Sequence, residues 1–256
     1  MASYRIDLAY DGSGFHGYAR NSGVRTVQEE LEHALATAFG SAVDTQVAGR
    51  TDSGVHARGQ VVSFEAESGL NVDALARSVN AILGPEIVVQ SVSRAEDGFD
   101  ARFSALSRSY RYFVDDGPAP NPLDRHTVWH VDWALDEGAL ARAASAFVGE
   151  HDFASFCRAA DGRTTIRNVT ACSWSRESPD VSAPNGRVIH PGLLVFSVTA
   201  TAFCHQMVRS LVALSVDIGR GRIAPDAIPG IFEARDRNAA RGVAPPHGLV
   251  LWSVQY

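Results

Sequence analysis

A chain of 256 residues with 45% hydrophobic residues and a mean hydropathy of −0.06 has the length for one large or two modest cores and the balance of an ordinary globular protein, with disorder confined to loops. The net charge of −6 and pI near 5.8 do not advertise a nucleic-acid partner, although all 23 basic residues are arginine, the side chain best suited to bidentate phosphate contacts; codon usage explains the absence of lysine better than function does. No apolar run approaches the ~18 residues of a membrane span, the N-terminal MASYRIDLAYDG carries Arg5 and Asp7, and three scattered cysteines (Cys157, Cys172, Cys204) lack a CxxC, so a cytoplasmic protein with reduced thiols is expected rather than a disulfide framework or a cysteine zinc site.

A first strand is expected at 4–10. Thr26-Val27-Gln28-Glu29 has the form of a capping box, and Val27, Leu31, Ala34, Leu35, Ala38 and Phe39 recur at helical spacing, which predicts an amphipathic helix from Val27. Strands near 42–48 and 58–66 follow, then a helix at 72–83 carrying Leu75, Val79, Ile82 and Leu83, and a strand at 86–93. The order of this half is β-α-β-β-α-β. The second half repeats it approximately, with strands near 99–105, 107–115 and 126–133, a helix at 136–148, strands at 166–176 and 192–199, helices at 203–217 and 225–235, and a last strand at 248–255. Two such halves predict an α+β protein of two ferredoxin-like α/β domains with antiparallel sheets, divided as 1–105 and 106–256 and joined around a central catalytic cleft. Segments 117–122, 158–164 and 177–190 are loops by composition, the last long enough to be expected mobile.

The most informative stretch is Ala48 to Ala57, AGRTDSGVHA, a tight loop between two apolar alternations. Gly49 and Gly54 permit turns and close approach, and Arg50 puts positive charge two residues before the single acid, Asp52. Thr-Asp-Ser-Gly is also good turn chemistry, in which an aspartate merely satisfies backbone N–H groups. Upstream, Gly12, Gly14 and Gly17 match GxGxxG after a strand. The dinucleotide fingerprint requires a helix opening at those glycines, and here the helix starts about ten residues later, so the match is rejected.

In the strand SRSYRYFV, period two sets Tyr110 and Tyr112 on one face and Arg111 and Phe113 on the other; a strand tyrosine is most often a core residue with a bonded hydroxyl. In FCHQMVR, Cys204, Val208, Leu211 and Ser215 form a buried stripe and Arg209 stands off it, as a solvated arginine would. The nine histidines show no HxH or HExxH spacing, so no metal is expected, and His56 and His205 read as structural, loop or RNA-facing groups.

Taken in order, YDGSGFHGYARN, AGRTDSGVHA, FDARFSA with its tyrosine strand, GEHDFASF at 149–156, FCHQMVR and the final GLVL resemble the blocks of the tRNA pseudouridine synthase A (TruA) family along nearly the whole chain. The resemblance implies isomerisation of uridine to pseudouridine at positions 38, 39 and 40 of the tRNA anticodon stem-loop, by a homodimer, with no cofactor and no metal. It implies that Asp52 is the catalytic residue, that Tyr110 meets the target base, that Arg209 pairs with the aspartate and keeps it ionised, and that Leu249 packs on the base. Arg50, Arg58 and Arg209 are the candidates for RNA backbone contacts and for orienting Asp52. Tyr18-Ala19 replaces the family's Trp-Gln, and Gln206, Ser210 and Ala213 depart from its helix motif. Attack of Asp52 at uracil C6, attack at ribose C1′ and a glycal route remain open. Two other classes stay in contention: a non-catalytic tRNA-binding or folding protein, indifferent to Asp52→Ala, and a nucleotide-binding oxidoreductase resting on GxGxxG alone.

Overall fold

The computed structural model describes residues 1–158, 164–177 and 192–256. The chain divides into two compact units, Met1–Arg108 with Val250–Tyr256, and Ser109–Leu249. The α+β class expected from the sequence is what the structure has.

Unit 1 runs β1 (Ala2–Tyr10), α1 (Val27–Phe39), β2 (Thr45–Val47), β3 (His56–Ala66), α2 (Val72–Leu83) and β4 (Ile87–Arg94), the β-α-β-β-α-β order read from the sequence. β4, β1, β3 and β2 lie side by side and pair antiparallel, the ferredoxin-like order. β1 alternates as a half-buried strand should: Tyr4, Ile6, Leu8 and Tyr10 are buried, while Arg5 and Asp7 turn to the other face and pair at 2.6 Å. Central β3 buries Gln60 to Phe64 consecutively, because both its faces are covered. Tyr4 stacks on its cross-strand partner Phe64, ring centroids 5.5 Å apart. α1 begins where the cap motif places it, Thr26 accepting from the Glu29 N–H, and ends at Gly40 in the left-handed region.

Residues 100–104, expected as strand, form a turn instead. The Asp100 carboxylate accepts from the Arg102 and Phe103 N–H groups (2.7 and 2.9 Å), satisfying donors that a sheet ladder would have used. Ala101 is thereby driven into a small apolar cluster with Ala48 and Val61, flanked by Phe99, Val254 and Tyr256. β10 (Leu249–Gln255) runs parallel to β3, with Val250 opposite His56, so nearly all of the last strand belongs to unit 1 and not to the second half of the chain.

Unit 2 contains β5 (Ser107–Asp115, from Ser109 on), β6 (Trp129–His130), α3 (Glu137–Ala146), β7 (Gly149–Asp152), β8 (Ile166–Arg176), β9 (Leu194–Ala200), α4 (Met207–Gly219) and α5 (Ile228–Ala234). β5, β9, β8 and β7 are neighbours in that order, and α3 packs on both α4 and β8. The strand expected at 126–133 shrinks to two residues because the Thr127 and Val128 N–H groups are spent on the Asp124 carbonyl of a turn. β7, reading GEHD, was not expected: it has no apolar alternation and exists through antiparallel pairing with β8. α4 starts at Met207 rather than 203, since Gln206 holds a φ of 66° that ends the preceding segment. Cys157 and Cys204, expected as separate thiols, are joined in a disulfide, their Cα atoms 5.7 Å apart; the fold brings together residues 47 apart in the chain, and Cys172 is the free cysteine.

The loop expected at 177–190 lies, Glu177 apart, outside the described residues, as does most of 158–164. Among the described residues no helix is long and apolar enough to cross a membrane.

Candidate active site

Asp52 sits in the short loop between β2 and β3, half-buried, at the first position of a turn closed by the Val55 N–H donating to its carbonyl (3.1 Å). Gly54, third in that turn, has a φ of 76°, which a residue bearing a Cβ adopts only at a cost, and this accounts for the glycine of TDSG. Arg50 is exposed two residues before the acid.

The glycines of the YDGSGFHG stretch explain themselves here. A Cβ on Gly12 would lie 2.0 Å from the Val55 carbonyl oxygen, and one on Gly17, whose φ is 98°, 3.1 Å from the Thr51 oxygen. They are bare because this segment presses its backbone against the aspartate loop. The Tyr18 N–H donates to the Thr51 oxygen (3.0 Å) and the Gly54 N–H to the Phe15 oxygen (3.2 Å). His56 is buried, its Nδ1 3.1 Å from both the Gly12 nitrogen and the Asp11 carboxylate. Tyr18 is fully buried beside Tyr10 (centroids 6.3 Å), so this side chain lies in the core beneath the loop and not on its surface.

Side chains hold the loop from below. Gln60 on β3, fully buried, donates from Nε2 to the Gly49 oxygen (2.8 Å) and to the Tyr10 hydroxyl (3.2 Å), which in turn meets Thr51 Oγ1 at 2.8 Å. Burial pushes the Tyr10 phenol up to about 12 against the opposing hydrogen bonds of Thr51 and Gln60, so it stays neutral. Arg108 donates to the Ala48 oxygen through Nε and Nη2 (3.1 and 2.9 Å) and so holds the start of the same loop. Sequence reading passed over Tyr10, Thr51, Gln60 and Arg108. A fully buried glutamine amid Val61, Val62 and Phe64 was the available signal, because a buried amide must find partners. Arg58, on the exposed face of β3, lies over the Trp252 ring at 4.4 Å.

In unit 2, Tyr110 and Tyr112 share one face of β5, as the alternation predicts, and both are buried. Tyr110 meets Phe203 edge to face at 5.0 Å, leaving 8% of its surface exposed. Tyr112 donates to the Pro245 oxygen at 2.8 Å, and its ring would lie 2.5 Å from a Cβ on Gly248, which accounts for that glycine. Burial pushes the Tyr112 phenol up, with Arg209 pulling the other way. Arg209 is half-buried in the first turn of α4. Its Nε donates to the Ala244 oxygen (2.7 Å) while the Ala244 N–H returns to the Arg209 oxygen (3.0 Å), tying α4 to the segment ahead of β10. Leu249, the last residue of unit 2, is buried. The structure thus keeps Asp52, Arg50 and Arg58 within unit 1, and Tyr110, Arg209 and Leu249 within unit 2.

The model of a family described as tRNA pseudouridine synthase matches residues 8–104 and 143–256. The chain is 42% identical to the tRNA pseudouridine synthase A of Leifsonia xyli over 99% of its own length and 91% of that protein's. It is 37% identical to the enzyme of the same name from Bacillus subtilis over 98% of both chains, and 35% identical to that of Acetivibrio thermocellus over the full length of both. With the family model covering most of the residues and relatives matched from end to end, the chain belongs to the tRNA pseudouridine synthase family.

Proposed function

We propose that this protein isomerises uridine to pseudouridine at positions 38, 39 and 40 of the tRNA anticodon stem-loop, with Asp52 as the nucleophile. The observation that carries the reading is the end-to-end relation to tRNA pseudouridine synthases A, with Asp52 at the head of a turn held by hydrogen bonds on both sides. The reaction breaks the bond between ribose C1′ and N1, turns the base, joins C1′ to C5 and releases the C5 proton to solvent while N1 takes up a proton. Atoms and oxidation state balance without a redox partner. An aspartate that forms a covalent adduct divides this into two easier steps. The base must leave its stack at a cost of a few kcal/mol. Tyr110 stacking and Leu249 packing on the uracil, with Arg50, Arg58 and Arg209 on the RNA backbone or beside Asp52, are the contacts that offset it. The protein works in the cytoplasm as a homodimer, which sedimentation at micromolar concentration tests directly.

The deciding experiment is release of tritium from tRNA labelled at uracil C5, with no cofactor added. Wild type should release label, and Asp52→Ala should be slower by roughly 10³-fold or more while keeping its circular dichroism spectrum. An Asp52→Ala protein with near-normal release would sink the nucleophile assignment.

A further inference from the structure

The loop that carries Asp52 is gripped from two directions at Thr51. Its carbonyl accepts from the Tyr18 N–H, and its hydroxyl meets the Tyr10 hydroxyl at 2.8 Å. Tyr10 is buried at the end of β1, so its proton needs an acceptor inside the protein. Gln60 Nε2 is a donor only, which leaves Thr51 Oγ1 as the acceptor of the Tyr10 proton. The chain of donors therefore runs one way, from the Gln60 amide to the Tyr10 phenol to the Thr51 hydroxyl, and ends beside Asp52. The same amide fixes the Gly49 oxygen on the other arm of the loop, and its own Oε1 accepts from the Val61 N–H at 3.2 Å. Each polar atom of Gln60 is in use, so the amide cannot turn without losing a bond.

On the footing of the isomerase reading above, we propose that Gln60, Tyr10 and Thr51 are positioning residues that hold Asp52 at its attacking geometry. They act through the loop backbone and touch no substrate. β3 and β1 are the paired central strands of unit 1, so the device ties the turn at 52–55 to the sheet.

Tyr10→Phe removes one hydroxyl, and Thr51→Val replaces a hydroxyl with a methyl group of similar size. Each should lower kcat for tritium release by about 10- to 100-fold, because small misplacements of a reacting group carry penalties of that order. KM for tRNA should stay within about twofold, since no substrate contact is lost. Thr51→Ser, which keeps the hydroxyl, should recover most of the rate. Amide hydrogen exchange at Tyr18, Gly54 and Val55 should accelerate at least about tenfold in Tyr10→Phe, while Ile6 and Val62 in the sheet exchange as in wild type. A kcat within twofold of wild type in both variants, a loss confined to KM, or loop exchange unchanged would each overturn the proposal. If wild type releases no tritium, the isomerase reading fails separately, and the exchange rates still decide whether these residues hold the loop.

Discussion

Asp116 illustrates how single residues set the acid limit of unit 2. Burial alone would raise its carboxyl, but hydrogen bonds from Arg176 (2.8 and 3.0 Å) and from the Leu135 N–H outweigh this and hold it below the ordinary carboxylate range. Arg176 also binds Glu137 at 2.7 Å and is held cationic by both partners. A carboxyl lower in the folded than in the unfolded chain contributes stability that is complete above the unfolded value and lost as pH falls through the folded one. The stability of wild type against denaturation should therefore fall as pH drops from about 5 toward 3. In Asp116→Asn this part of the acid limb should be missing, with the variant less stable at pH 7 and closer to wild type at pH 3. Equal pH slopes for the two proteins would refute the assignment.

At the scale of elements, the aspartate loop depends on a second segment, residues 11–18, laid against it. Glycine at position 12 is required there by the Val55 carbonyl and not by any phosphate. Gly12→Ala should cost about 1–3 kcal/mol in urea denaturation, the usual penalty for forcing a methyl group into a packed site. Activity should fall further than stability, since the displaced backbone leads directly into Asp52. A Gly12→Ala protein with wild-type stability and rate would mean that the two segments separate readily. Arg108 works on the same loop from β5, its guanidinium also donating to the Ala105 and Arg102 oxygens (3.1 and 2.6 Å), so it joins the turn at 100–104 to the start of the aspartate loop.

For the whole molecule, a chain of net charge −6 that acts on tRNA must gather its positive charge locally. Clustered arginine, including exposed Arg50 and Arg58, is expected to supply it. Counterion release then makes binding steeply dependent on salt. Raising monovalent salt from about 50 to 200 mM should weaken tRNA binding at least about tenfold in fluorescence anisotropy, and Arg50→Ala should reduce the slope by about one phosphate equivalent. A flat salt response would remove the arginines from the interface.

Helices α1, α2 and α3 and strands β1, β3, β4, β5, β8, β9 and β10 were legible in position within a residue or two, because apolar period and capping chemistry are carried by residues within a turn of one another. The aspartate loop was equally legible, its glycines and single acid forming a pattern ten residues long. Tertiary structure alone decided the rest. β7 exists through its partner β8, the turn at 100–104 through the side chain of Asp100, and the disulfide through the meeting of Cys157 and Cys204. Tyr18 went to the core, and nearly all of the last strand went to unit 1. The support of Asp52 crosses 41 residues from Tyr10 to Thr51 and 50 from Tyr10 to Gln60. Burial preference is written locally in a chain, whereas the partner of a buried hydrogen bond is chosen by whichever distant group the fold sets beside it.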